Sequence, residues 1–323
     1  MKSSRCSSML AVLAAMILSA GARSAEPAAE KAAEPAAPAP KPAYTRSGAD
    51  TCLGCHDDAG MLAIFRGPHG VPSNPDSPFG HGKLQCEACH GPGAAHVKKP
   101  PSGQQRQPVI RFGSTSQAPA AVQNSMCSTC HQTDLGTGWH ASAHATNEVP
   151  CASCHRSHTA SDSILKVATQ PDVCATCHSI ARNDLHRAYA HPIDQGKMSC
   201  TGCHSVHKST NDPLLKQRSV NDTCYQCHAD KRGPFLWEHA PVAEDCTACH
   251  APHGSIHPGM LTTRGPMLCQ SCHSQAGHPS MAPTAANGLP GGSRSQYVLG
   301  MNCLNCHSKV HGSNHPSGST LMR

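Results

Sequence analysis

Aromatic residues are scarce in this chain. Two Trp, four Tyr and four Phe make up 3% of its 323 residues. Large aromatic side chains carry much of the burial in an ordinary core, so a core of the usual kind is not available at this length. Gly and Pro, 27 of each, work against long helices and sheets. Long apolar runs are missing as well. The one apolar stretch, Met9 to Ala20, is too short to span a bilayer comfortably. The rest of the chain offers no lipid-facing helix, and something other than apolar side chains must supply its hydrophobic surface.

Cysteine is abundant instead. Of 21 cysteines, 20 fall into ten C-x-x-C-H motifs, and only Cys6 stands outside. The motifs are Cys52, Cys55 and His56; Cys86, Cys89 and His90; Cys127, Cys130 and His131; Cys151, Cys154 and His155; Cys174, Cys177 and His178; Cys200, Cys203 and His204; Cys224, Cys227 and His228; Cys246, Cys249 and His250; Cys269, Cys272 and His273; and Cys303, Cys306 and His307. C-x-x-C-H is the attachment motif of c-type haem. The two thiols form thioethers to the porphyrin vinyl groups, and the adjacent histidine becomes the proximal iron ligand. Zinc sites and dithiol redox pairs do not require a histidine after every second cysteine. The cofactor complement this implies is ten covalently bound haem c. Their faces replace the missing apolar bulk, so the chain is expected to unfold without them.

The remaining histidines are candidates for the opposite face of each iron. Of 25 histidines, ten are proximal and 15 are spare. Taking the motifs in pairs, one spare histidine lies between the two motifs of each pair: His69, His144, His191, His239 and His278. Another follows the second motif: His96, His158, His207, His253 and His311. That makes ten distal candidates for ten irons. His158, His207 and His253 come three residues after a proximal histidine. A side chain so placed cannot wrap around its own ring, so the spacing predicts that it reaches a neighbouring haem. His81, His140, His186, His257 and His315 fall outside this register and read as surface residues. Met126, Met198, Met267 and Met301 stand just ahead of motifs and read as packing residues.

This pairing defines a two-haem unit repeated five times. Two residues before the first cysteine, four odd-numbered motifs carry helix-capping types, Asp50, Ser125, Asp172 and Asp222. The even-numbered motifs have Leu84, Val149, Met198, Glu244 and Met301 there. Odd motifs are therefore expected to open short helices, and even ones to follow extended chain. The fold class is a multihaem cytochrome c: an elongated, mostly irregular chain with sparse short α-helices and five two-haem modules organised around ten haems.

Residues 1–22 read as a secretory signal peptide, with Lys2 and Arg5 in a basic start and Ala20-Gly21-Ala22 as a cleavage site. Residues 23–45 form an Ala/Pro-rich linker. Residues 46–323 are the haem-binding body, with modules at about 46–122, 123–170, 171–219, 220–264 and 265–323. Pro92 to Ala121 and Gln275 to Met301 are insertions expected to be surface loops, either of which could contact a partner. The formal charge of +6 and the pI of 8.5 suggest a basic surface. Removing residues 1–22 takes away Lys2 and Arg5 and leaves +4. A ferric haem with two imidazoles and two propionates carries about −1 and a ferrous one about −2, so ten bring the chain to about −6 oxidised and about −16 reduced. A nucleic-acid partner is therefore excluded.

Two axial imidazoles leave no open position on an iron and give lower potentials than a Met/His pair. Such an iron exchanges electrons rather than binding substrate, so the chain is read as an electron carrier with no catalytic residue. No C-x-x-C-K motif points to a reductase site. An oxidoreductase reading requires one open haem.

Several stretches resemble decahaem cytochromes of the porin–cytochrome conduit family, the MtrA/DmsE type with MtoA- and PioA-like relatives. They are L-Q-C-E-A-C-H-G-P at 84–92, V-N-D-T-C-Y-Q-C-H-A-D-K-R-G-P at 220–234, L-W-E-H-A-P-V at 236–242 and C-L-N-C-H-S-K-V-H-G-S-N-H-P-S-G at 303–318. The resemblance covers about Ser47 to Arg323 and implies a periplasmic, outer-membrane-associated haem wire docked to or inside a β-barrel partner. It implies electron exchange with periplasmic or inner-membrane c-type cytochromes on one side. On the other side it implies an outer-surface multihaem cytochrome, a reductase or an iron mineral. It also implies that the ten in-register histidines are the distal ligands, with His315 the rival of His311. A soluble shuttle without a barrel is the alternative.

Overall fold

Each C-x-x-C-H motif closes on itself. In all ten, the carbonyl of the first cysteine accepts the N–H of the second cysteine at 3.1–3.3 Å and that of the histidine at 2.9–3.0 Å. One helical turn thus puts positions i, i+3 and i+4 on one face. Two thiols and one imidazole project together, as a single tethered porphyrin requires. This explains the motif locally, with no reference to the rest of the chain.

A computed structural model of the protein describes residues 42–208, 213–273 and 303–323. The expected leader, nearly all of the Ala/Pro-rich linker, His278 and the Gln275–Met301 insertion lie outside the described residues. The body is one unit beginning at Pro42. Its longest helices, Ala120–Ser128 and Gln132–His140, have nine residues. Among the described residues there is no strand, only isolated bridges such as His204 with Leu215 and His250 with Leu261. No helix there is long and apolar enough to cross a membrane. Buried apolar side chains are few: Ala49, Phe79, Trp139, Ile193 and Leu214. Protein atoms leave Leu165, Ile180 and Ile256 largely uncovered, Ile180 at 78% exposure.

The alternation between motifs is present, with its polarity reversed for the odd ones. Odd motifs end helices rather than opening them. Cys52, Cys127, Cys174, Cys224 and Cys269 are each the penultimate residue of a short helix: Ala49–Leu53, Ala120–Ser128, Gln170–Ala175, Val220–Tyr225 and Gly265–Gln270. Asp50, Asp172 and Asp222 stand in first turns, where a carboxylate is favoured by the helix dipole, and not at the caps. Ser125 lies inside its helix and donates to the Val122 carbonyl. The fourth of these helices is capped instead by Ser219, whose hydroxyl accepts the Asp222 N–H. Four of the even motifs begin with a 3₁₀ turn, at Cys151–Ser153, Cys200–Gly202, Cys246–Ala248 and Cys303–Asn305. The residues before three of these turns, Pro150, Ser199 and Asp245, are extended.

In four modules a buried or half-buried carboxamide joins the two motifs. Asn124 accepts the Cys151 N–H at 2.7 Å and donates to the Val149 carbonyl. Asn221 accepts the Cys246 N–H at 2.7 Å and donates to the carbonyls of Val242 and Ala243. Gln170 accepts from Thr201 and donates to Ile164. In the first module the direction reverses, and Gln85 on the even side accepts the Ala49 N–H. The two first cysteines of each module also lie close together. Cys52 with Cys86, Cys127 with Cys151, Cys174 with Cys200, Cys224 with Cys246 and Cys269 with Cys303 lie within hydrogen-bonding reach. Ahead of the first module, the amide and hydroxyl of Thr45 donate to the buried Glu87 carboxylate, tying the chain's entry to the second motif.

Asn221 is 6% exposed. Its replacement by Ala strands the buried Cys246 N–H and two carbonyls, at a cost of about 1–3 kcal/mol. Thermal melting of holo Asn221→Ala is expected to fall by several degrees relative to wild type; an unchanged midpoint would show that the tie carries no stability.

Candidate haem-binding sites

Nine of the ten motif histidines are each paired with one further histidine. The pairs are His56–His96, His131–His69, His90–His158, His178–His144, His155–His207, His228–His191, His204–His253, His273–His239 and His250–His311. Their ring centres lie 5.9–6.3 Å apart. A metal–imidazole bond of about 2 Å on either side, with about 1 Å from nitrogen to ring centre, spans about 6 Å. The tenth motif histidine, His307, donates from Nδ1 to the Thr320 carbonyl at 2.8 Å, and its candidate His278 lies outside the described residues. Among the described residues no group of three or more His, Cys, Asp or Glu could hold a bare metal ion. Two imidazoles alone are an incomplete site. An iron already held by four porphyrin nitrogens needs only these two, beside two thiols for tethering. The residues present fit haem c.

The order of the pairs is regular. Histidines lying between the two motifs of a module pair forward, with the next odd motif: His69 with His131, His144 with His178, His191 with His228, His239 with His273. Histidines following the even motif pair backward, with the preceding even motif: His158 with His90, His207 with His155, His253 with His204, His311 with His250. Every module junction thus carries two crossings in opposite senses. The exception is His96, which pairs with His56 inside the first module. The thiols follow the same path. Cys89 feels Cys127 and Cys130, Cys154 feels Cys177, Cys203 feels Cys224 and Cys227, and Cys249 feels Cys272. Each motif therefore adjoins the next.

His315 has a different role from its rival His311. Its carbonyl accepts the Trp237 indole N–H at 3.0 Å and its Nδ1 takes the Ser317 N–H. Burial, the largest cause in each case, holds His69, His144, His158, His253 and His311 below the usual imidazole range. The neutral form so favoured is the one that binds a metal. Nδ1 of His158 and of His239 is buried with no hydrogen-bond partner among the described residues.

The proximal histidines of the even motifs share a further feature. Each directs Nδ1 at an oxygen: Ile110 O for His90 at 2.7 Å, and Pro213, Gly259 and Thr320 O for His204, His250 and His307, each at 2.8 Å. For His155 the acceptor is the Asp162 carboxylate, also at 2.8 Å. Such contacts fix the tautomer and orientation of a ligating imidazole. The Pro92–Ala121 insertion supplies one of these oxygens and a similar one to His96. Ile110 serves His90, and Gln107 O serves Nδ1 of His96 at 2.7 Å. Arg106 holds that segment by donating to the carbonyls of His96, Val97 and Lys98. The loop is exposed, as its composition suggests, but it is anchored to His90 and His96.

Sequence reasoning overlooked two signals. One is the Asn three residues before the first cysteine, at Asn124 and Asn221. The other is the Gly directly after a spare histidine. Gly254 and Gly312 follow His253 and His311 with φ of +155° and +132°. A Cβ at Gly254 would meet the Asp184 carbonyl, and one at Gly312 the Phe235 ring. Backbone must pass close there for the histidine to reach across.

Comparison with known proteins identifies c-type cytochrome motifs in the chain. Residues 191–233 and 239–278 match a family described as a doubled CXXCH motif. Residues 86–170 match one described as cytochrome c-type protein NrfB-like. The chain is 46% identical over 284 residues to the multiheme cytochrome MtrA of Shewanella baltica, covering 87% of this chain and 83% of that protein. It is 26% identical over 207 residues to the high-molecular-weight cytochrome c of Nitratidesulfovibrio vulgaris, covering 60% of this chain and 32% of that protein. With its C-x-x-C-H turns able to bind haem c covalently, the chain belongs to the MtrA family of multihaem c-type cytochromes.

Proposed function

We propose that this protein is a decahaem electron conduit that works in the periplasm at the outer membrane, docked to or inside a β-barrel partner. In this reading each histidine pair closes both faces of one iron, and His278 closes the iron at His307. The observation that carries it is the set of nine imidazole pairs at 5.9–6.3 Å, running without interruption from motif to motif. Bound haem supplies a one-electron ferric/ferrous couple. Each imidazole pair would hold the group from both sides through two histidines, which would leave no position on it for a substrate. The Nδ1 contacts hold ring orientations, and the thiol-to-thiol succession keeps neighbouring sites adjacent. A barrel with a polar interior suits a chain whose described residues contain no membrane-long helix. Electrons would pass between periplasmic carriers on one side and a surface cytochrome, reductase or iron mineral on the other.

Three expected outcomes test this reading. EPR of the ferric holoprotein, with a haem-to-protein ratio, should show ten haems, all low-spin. Near-parallel pairs, such as His250–His311 at 13°, and near-perpendicular ones, such as His144–His178 at 86°, should give two distinct low-spin classes. A high-spin signal would instead identify an open haem. Gly254→Ala should displace His253 from His204 and convert one haem, that of Cys200 and Cys203, to a high-spin or exchangeable form; wild-type spectra would reject that ligand assignment. Affinity purification from detergent-solubilised outer membranes should bring down a β-barrel protein in fixed ratio. Recovery solely as a free periplasmic monomer would favour a soluble shuttle.

A further inference from the structure

The loops after the even motifs at Cys200 and Cys246 are built alike. In each, a residue of positive φ, Leu214 or Met260, returns its carbonyl to the backbone just after the motif histidine. The carbonyl of the residue before it, Pro213 or Gly259, accepts from Nδ1 of His204 or His250. Ile110 and Thr320 give His90 and His307 the same neutral acceptor. The loop after Cys151 does otherwise. There Asp162 Oδ2 accepts from His155 Nδ1 at 2.8 Å, while Oδ1 takes the Ile164 N–H. The Asp162 side chain is 12% exposed and that of His155 is 36% exposed, so water screens the contact poorly.

We infer that Asp162 is a positioning residue that acts through His155 to hold the Cys151/Cys154 haem at a more negative potential than the other even-motif haems, which have carbonyl acceptors. A carboxylate on the distant nitrogen of an axial imidazole makes that ligand more basic, and second-shell hydrogen bonding is one of the levers a protein has on haem potential. The fixed negative charge favours the ferric centre over the ferrous one, which has gained one electron. The step involves one electron, delivered by an adjacent haem or by a redox mediator in a titration, and breaks no bond. A mid-chain site that is harder to reduce sets a step in the path, which a row of identical acceptors would lack.

The inference rests on the paired-ligand reading above, which the wild-type ferric spectra decide separately. Its own test is spectroelectrochemical titration of purified holo Asp162→Asn, which keeps a neutral oxygen acceptor in place. Haem content and low-spin EPR are expected to be unchanged, while about one tenth of the α-band amplitude moves to more positive potential. Asp162→Glu should restore the wild-type curve. A titration that superimposes on wild type would overturn the inference and leave Asp162 as a turn cap. Should Asp162→Asn lose this haem, the wild-type-minus-variant difference titration gives its midpoint: one in the lower half of the wild-type range supports the inference, and one in the upper half overturns it.

Discussion

An iron in a porphyrin plane needs two axial donors about 6 Å apart, measured between ring centres. In this chain the two donors of a pair almost always come from different modules. The first is fixed within one helical turn by the carbonyl of its own motif's first cysteine. The second arrives from a module away. Once both bind, that module cannot move independently of its neighbour. Four junctions each carry two such crossings in opposite senses, so no single pair forms a seam at which the chain could part. The polypeptide buries only five apolar side chains among its described residues. Apolar side chains alone therefore bury little here, and the imidazole pairs are the contact that recurs between modules.

Legibility in the sequence follows the range of each interaction. The motif turns were legible because C-x-x-C-H is complete within five residues. The expectation that His158, His207 and His253 reach beyond their own ring follows from short-range geometry too. Which iron each reaches depends on the path of 34 or more residues of irregular chain, and no periodicity encodes that. The helix polarity was misjudged because Asp50, Asp172 and Asp222 are favourable both at a cap and in a first turn. Spacing alone does not separate those positions. The carboxamide ties of Asn124 and Asn221 were overlooked because an isolated Asn before a cysteine has no signature until its partner N–H, some 25 residues on, is in place.

The doubled-motif match begins at His191 and at His239, so it groups an even motif with the following odd one. The reading by modules groups odd with the following even. Both phases are physically sound. Carboxamides and first-cysteine contacts bind odd to even within a module. Second-cysteine contacts and ligand crossings bind even to the next odd. The repeat has no privileged boundary, which is the condition for an uninterrupted electron path.

A ladder built from one forward and one backward crossing per junction cannot be uniform at its ends. The first odd motif has no earlier module to send it a histidine, and the first module's backward histidine has no earlier even motif to meet. The two leftovers can satisfy each other, and His96 is indeed paired with His56. That internal closure needs its own support, because no neighbouring module holds His96 in place. The Pro92–Ala121 insertion gives it, through Gln107 O on Nδ1 of His96 and the Arg106 clamp on the preceding carbonyls. Atypical terminal repeats are what a stacked array requires for closure. The long insertion in the first module thus supports the one pair that closes within a module.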